Sequence, residues 1–127
     1  MTSYKCTIGT YIQRNYKVWV DCRLEKMPTA QCGVCIKNDF IVLYSYITPV
    51  LILNNITRVL WCSGLYSATT RRHISAFLRE YCPNITYSTI KAIAATENGI
   101  DTRTGELIDC TELYNNWYRG LFAPTYY

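Results

Sequence analysis

Residues 40–53, read FIVLYSYITPVLIL, constrain the fold more than any other part of the chain. The run is rich in β-branched, leucine and tyrosine side chains, which favours extended, buried backbone. Ser45, Thr48 and Pro49 interrupt it and Asn54-Asn55 end it. It is therefore too short and too polar for a membrane span, which needs about 20 apolar residues. Residues 41–53 read as one long strand, with Tyr44 and Tyr46 on one face and Leu43, Ser45 and Ile47 on the other. Pro49 has no N–H to give to a ladder, so it marks an edge position or a bulge. Asn54-Asn55-Ile56-Thr57 reads as a turn and residues 58–62 as a returning strand, which together predict a hairpin.

Upstream, residues 4–13 and 17–22 read as two strands around Arg14-Asn15-Tyr16. In the second, Val18, Val20 and Cys22 alternate with Lys17, Trp19 and Asp21, the period of a half-buried strand. Residues 24–31 are polar, contain Pro28 and read as a loop. Downstream of Ser63-Gly64 the pattern becomes helical. Ile74, Phe77, Leu78 and Tyr81 fall at i, i+3, i+4 and i+7, with Arg72, Ser75 and Arg79 opposite. Thr69 or Thr70 is placed to cap this helix, and Cys82-Pro83-Asn84 ends it. A second helix is expected over residues 86–96, with Tyr87, Ile90, Ile93 and Ala94 inward and Asn98-Gly99 at its C-terminal end. Residues 102–105 read as a turn between short strands. A last helix is expected from about Thr111, with Leu113, Trp117 and Leu121 along one side.

Strands first and helices after predict an α+β fold. An antiparallel sheet, made of N-terminal strands and the central hairpin, is packed by two to three helices from the C-terminal half. The 127 residues suit one compact domain over 1–127, with 111–127 as an aromatic C-terminal helix or tail.

Charge is divided unevenly. Residues 1–91 hold eleven Lys and Arg against four Asp and Glu, whereas residues 92–127 hold two against five. A basic body attracts phosphate or an acidic protein patch, and the same balance argues against a mimic of DNA. The first residues carry no apolar signal-like stretch, so the cytoplasm is the expected compartment. Seven cysteines then read mainly as free thiols packed as small hydrophobes. Cys32 and Cys35 are spaced to bite one zinc ion from a turn. A closed site needs two further ligands, and Cys22, Cys62, His73 and Cys82 are scattered, so neither metal nor other cofactor is expected.

His73 is the single histidine. No nucleophile elbow surrounds it, and the expected role is structural, beside the sheet. One histidine and scattered carboxylates give no converging catalytic site, so an enzyme is not expected. Thr70, Arg71 and Arg72 sit at a helix start, where free N–H groups, hydroxyls and guanidiniums suit an anion. Arg79 extends that basic face. Tyr114, Trp117, Tyr118 and Arg119 form a second candidate surface, of the residue types that dominate binding hot spots; docking of the last helix onto the sheet is the competing reading. The two helices around Pro83 have the order of a helix-turn-helix, but the second carries only Lys91 as a basic residue, which is poor for reading a groove.

Two stretches resemble a group of small phage and mobile-element proteins. The shared pattern is Ser45, Tyr46, Thr48, Pro49 and Val50, followed by Tyr66, Ser67, Thr69, Thr70, Arg72, His73, Ile74, Phe77 and Leu78. The resemblance implies a phage accessory product, a kind of protein that often binds and blocks a host macromolecule, as anti-CRISPR proteins do. The expectation is a non-enzymatic inhibitor acting in the cytoplasm of the bacterial host, without membrane contact. Its partner would be a host protein or ribonucleoprotein such as a CRISPR-Cas effector. The alternative is a small basic nucleic-acid-binding regulator. A homodimer, with the long strand or the aromatic tail as its seam, is a further arrangement.

Overall fold

In the computed structural model, the described residues are 19–20, 32–37, 39–46 and 48–122. The expected strand over 4–13 and loop over 24–31 lie outside them. Among the described residues, seven strands form one antiparallel sheet in chain order: β1 (Trp19–Val20), β2 (Cys32–Lys37), β3 (Phe40–Ser45), β4 (Thr48–Asn54), β5 (Val59–Cys62), β6 (Asn98–Asp101) and β7 (Leu107–Asp109). Helices α1 (Ala68–Tyr81) and α2 (Tyr87–Ile93) lie between β5 and β6, and α3 (Thr111–Tyr118) follows β7. The fold is α+β, with the helices in the C-terminal half.

The apolar run is two strands rather than one. The chain reverses between Ser45 and Thr48, which pair across the hairpin. Tyr46 takes a left-handed φ of 58° there, so it leaves the face of Tyr44 and is exposed while Tyr44 is fully buried. Beside this reversal the β3–β4 register slips between Leu43 and Tyr44, so that Leu43 faces Leu51 and Tyr44 faces Pro49. Pro49 thus occupies a central strand at a bulge, where one ladder bond is already lost. The expected hairpin of β4 and β5 also forms. Asn54 Oδ1 accepts from the amides of Ile56 and Thr57 at 2.9 and 3.0 Å. Arg58 closes the turn at φ 63°, held by bonds from its guanidinium to Asn55 Oδ1 at 2.7 Å and Tyr81 O at 3.2 Å.

Register sorts the core into two faces. Val34, Leu43, Leu51 and Cys62 form one row and Ile41, Leu53, Leu60 and Ile100 the next, all on the first face. Val42, Ile52 and Trp61 form a row on the second. Both faces are buried at the centre, which is why residues 40–53 read as continuous apolar sequence. Each such Leu or Ile contributes about 2 kcal/mol by leaving water. On the first face, α1 docks over β3, and α2 packs on α1, β5 and β6. The apolar stripe of α1 faces in, with Ile74, Phe77 and Leu78 buried and the rings of Phe77 and Tyr81 4.8 Å apart.

On the second face, Trp61 is fully buried and meets Tyr114 and Trp117 of α3 edge to face, each at 5.9 Å. Phe122 then stacks edge-on against Phe40 at 5.3 Å, and its carbonyl accepts from the Tyr44 hydroxyl at 2.5 Å. Leu121, expected in line with Leu113 and Trp117 on the last helix, lies beyond its end and is exposed. The helix stops at Tyr118, and Gly120 at φ 83° redirects the chain so that Phe122 turns in.

α2 is shorter than the expected 86–96. Ala95 takes φ 61°, its amide donates to Cys62 O at 3.1 Å, and Trp61 Nε1 donates to Thr96 O at 2.7 Å. These bonds draw the chain back onto the sheet, and Asn98-Gly99 opens β6 instead of ending a helix. Gly99 is required there. A Cβ would sit 2.6 Å from Cys110 Sγ and 2.7 Å from Leu60 O.

Candidate functional site

Ser67 caps α1, rather than Thr69 or Thr70: its Oγ accepts from the Thr70 amide at 3.2 Å. The reason is tertiary. Thr70 is drawn into the interior, where its Oγ1 lies 2.9 Å from Ser45 Oγ and 3.3 Å from Ser67 Oγ. Ser45 Oγ also lies 2.8 Å from His73 Nδ1. Ser45, Thr70 and His73 are 2%, 2% and 0% exposed. Thr70 is therefore not available to an incoming anion, which corrects its expected place in a surface cradle.

His73 Nε2 is buried without a hydrogen-bond partner among the described residues. Burial lowers the His73 pKa from 6.5 to about 4, since a charged ring would carry a second N–H with no acceptor. The imidazole is thus neutral near pH 7. The pair of Ser45 and His73 has the residue types of a nucleophile and base, but both are sealed under α1 and joined through Nδ1. It pins β3 to α1.

The same end of the sheet holds a second hydroxyl pair. Ser63 Oγ donates to Pro49 O at 2.8 Å and meets the Tyr66 hydroxyl at 2.9 Å. Trp117 Nε1 donates to the same carbonyl at 2.8 Å. The two halves of the sequence pattern, 45–50 and 66–78, therefore meet in space. Ser45 was not among the candidate site residues; its signal was its place in that pattern.

Arg72 and Arg79 lie opposite the apolar stripe, as the helical wheel required, and Arg71 joins them at the surface. Arg71, Arg72 and Arg79 are exposed on the outer side of α1. The Arg71 guanidinium lies over the Tyr87 ring at 4.6 Å, a cation–π contact that fixes its direction. No acidic residue occupies the first turn, and Arg79 in the last turn complements the helix dipole. The second candidate surface divides. Tyr114 and Trp117 are half-buried against Trp61, whereas Tyr118 is 77% exposed and Arg119 is exposed beside it. Docking onto the sheet and presentation to solvent are both realised, by different residues.

Residues 32–37 are a strand rather than a turn, so positions 32 and 35 fall on opposite faces of the sheet, which corrects the zinc reading. Among the described residues no group of three His, Cys, Asp or Glu is placed to hold a metal ion. Burial pushes the Cys62 thiol up to about 12 and the Cys82 thiol to about 11. Burial raises Cys110 as well. These thiols are packed as small apolar groups and are not nucleophiles at neutral pH. Among the described residues no helix is long and apolar enough to cross a membrane.

The fold and this surface define an α+β protein with a helix-borne basic face over a locked interior. Residues 7–95 match a family of unknown function, DUF8033, and the chain belongs to that family. The match spans both halves of the pattern up to Leu78. No curated protein and no solved structure matches the chain.

Proposed function

We propose that the chain is a non-enzymatic binding protein of the phage or mobile-element kind, which docks the arginine face of α1 on a host macromolecule and blocks it. A CRISPR-Cas effector is the target class that the sequence resemblance suggests. The observation that carries this reading is the rigidity of the platform under the charges. Arg71, Arg72 and Arg79 project from one helix whose inner side is held by buried Thr70, His73, Ile74, Phe77 and Leu78. Positive charge on a fixed surface steers an acidic partner and sets its orientation. Tyr118 and Arg119, exposed on the other side of the sheet, offer a separate contact.

The alternative is a nucleic-acid-binding regulator using the same arginines. The two readings differ in salt dependence, because each phosphate contact releases counterions. A mobility-shift titration at two salt concentrations tests this. Little retardation of free DNA or RNA, together with stoichiometric inhibition of an effector nuclease, supports the inhibitor. Strong retardation that collapses with salt supports the regulator.

A further inference from the structure

We propose that the outer edge of β7, which no other strand pairs among the described residues, and the groove beside it form a docking site for a basic, extended segment of a partner protein, which joins the sheet as a further strand. β7 ends the strand order of the described residues. Its pairing with β6 is bracketed by bonds from Cys110 N to Glu97 O at 2.7 Å and from Asp101 N to Glu106 O at 2.9 Å. Antiparallel pairs alternate between bonded and non-bonded, so Ile108 bonds to Gly99, which it faces. Leu107 and Asp109 therefore turn their N–H and C=O groups outward. Leu107 is 65% exposed. An open row of this kind is a template for another strand, and β7, reading Leu-Ile-Asp, carries no Lys or Pro to blunt it.

A groove of about 490 Å³ lies on the second face of the sheet, between it and α3. Phe40, Val59 and Ile108 line it from the sheet, and Asp109 and Glu112 line it at the β7 end. In an added strand, the residue opposite Ile108 points to this face. A Lys or Arg there lays its aliphatic stem along the apolar floor and brings its charge to Glu112.

The charge around the edge selects the occupant. Glu97, Asp101, Glu106, Asp109 and Glu112 outnumber Arg103 between positions 97 and 112, and Arg103 is already paired with Asp101 at 3.3 Å. A second copy of β7 would bring the same carboxylates against Glu106 and Asp109, whereas a basic strand is attracted by them. The site is distinct from the arginine face of α1 and stands whether or not that face binds a host target.

The test is a titration of the isotopically labelled chain with acetyl-Lys-Val-Lys-Val-Lys-Val-Lys-amide and, separately, with its Glu-for-Lys counterpart, reading amide hydrogen exchange. With the lysine peptide, exchange at Leu107 and Asp109 slows by about tenfold or more, as for amides newly bonded in a ladder, while Ile108 changes little. The double variant Glu106→Lys, Glu112→Lys weakens the peptide by about tenfold, the scale of two charge pairs turned from attractive to repulsive. Equal binding of both peptides would overturn the proposal, as would no binding of the lysine peptide or binding without protection at Leu107 and Asp109. Protection of those two amides that rises with protein concentration alone would assign the edge to self-pairing and would also overturn it.

Discussion

Ser45 Oγ lies 2.8 Å from His73 Nδ1, and this contact joins the end of β3 to the first turns of α1. It connects residues 28 apart in sequence across the interface of sheet and helix. Thr70 completes the cluster from the same helix. The position of the arginine face relative to the sheet follows from this pin, because Arg71 and Arg72 directly precede His73.

Removing the pin is expected to cost stability without altering the surface. Ser45→Ala leaves the Thr70 hydroxyl and the imidazole short of a partner in a dry site, a loss of about 1–3 kcal/mol. Urea unfolding checks this: the midpoint falls while the slope is kept.

Stability is expected to depend on pH through His73. Its folded pKa of about 4 lies below its ordinary 6.5, so between these values the unfolded chain binds more protons than the folded one. The stabilisation is complete above pH 6.5, is lost as pH falls toward 4, and amounts to about 3 kcal/mol. Asp101 and Asp109 are held below 3.8, chiefly by side-chain hydrogen bonds from Arg103 and Thr111. Their stabilisation is present above 3.8 and is lost only at lower pH. His73 is the single histidine, so His73→Gln flattens the stability profile between pH 6.5 and about 4.5. An unchanged slope would refute the assignment.

The cap on α1 is open to a direct comparison. Ser67→Ala removes the acceptor of the Thr70 amide and is expected to cost about 1 kcal/mol. Thr69 supplies no cap, so Thr69→Ala stays within about 0.5 kcal/mol of wild type. Thermal melts of the two variants decide which residue caps the helix.

Gly99→Ala is expected to destabilise by about 2–3 kcal/mol, through overpacking in a fixed backbone setting. The added Cβ meets the Leu60 carbonyl at 2.7 Å, and that oxygen belongs to a central strand that has no room to shift. Calorimetry reads the loss as a lowered melting temperature.

Much of the fold was legible in the sequence where local pattern and packing agree. The stripe of Ile74, Phe77, Leu78 and Tyr81 placed α1 correctly because one face of that helix is buried and the other is wet. Asn54-Asn55 likewise marked a turn through short-range bonds to its own amides. The reversal at Tyr46 was not legible, since a left-handed tyrosine carries no local signature and the apolar run continues through it. The retreat of Thr70 into the interior was equally hidden, because its hydroxyl is claimed by Ser45 from a distant strand. The aromatic cluster near the C-terminus could be read either way until Trp61 was seen to take Tyr114 and Trp117 and leave Tyr118 outside. The edge of β7 had no signal beyond the acidic balance of the last residues, since strand order is not written locally.

On the proposed function, the arginine face of α1 makes the contact with a host target. Retention of host macromolecules from bacterial lysate on the immobilised chain, wild type against Arg72→Glu, tests it most directly. One stoichiometric partner is expected on the wild type, and its loss, by about tenfold or more, on a variant that melts at the wild-type temperature. The same partner retained equally by Arg72→Glu would contradict it.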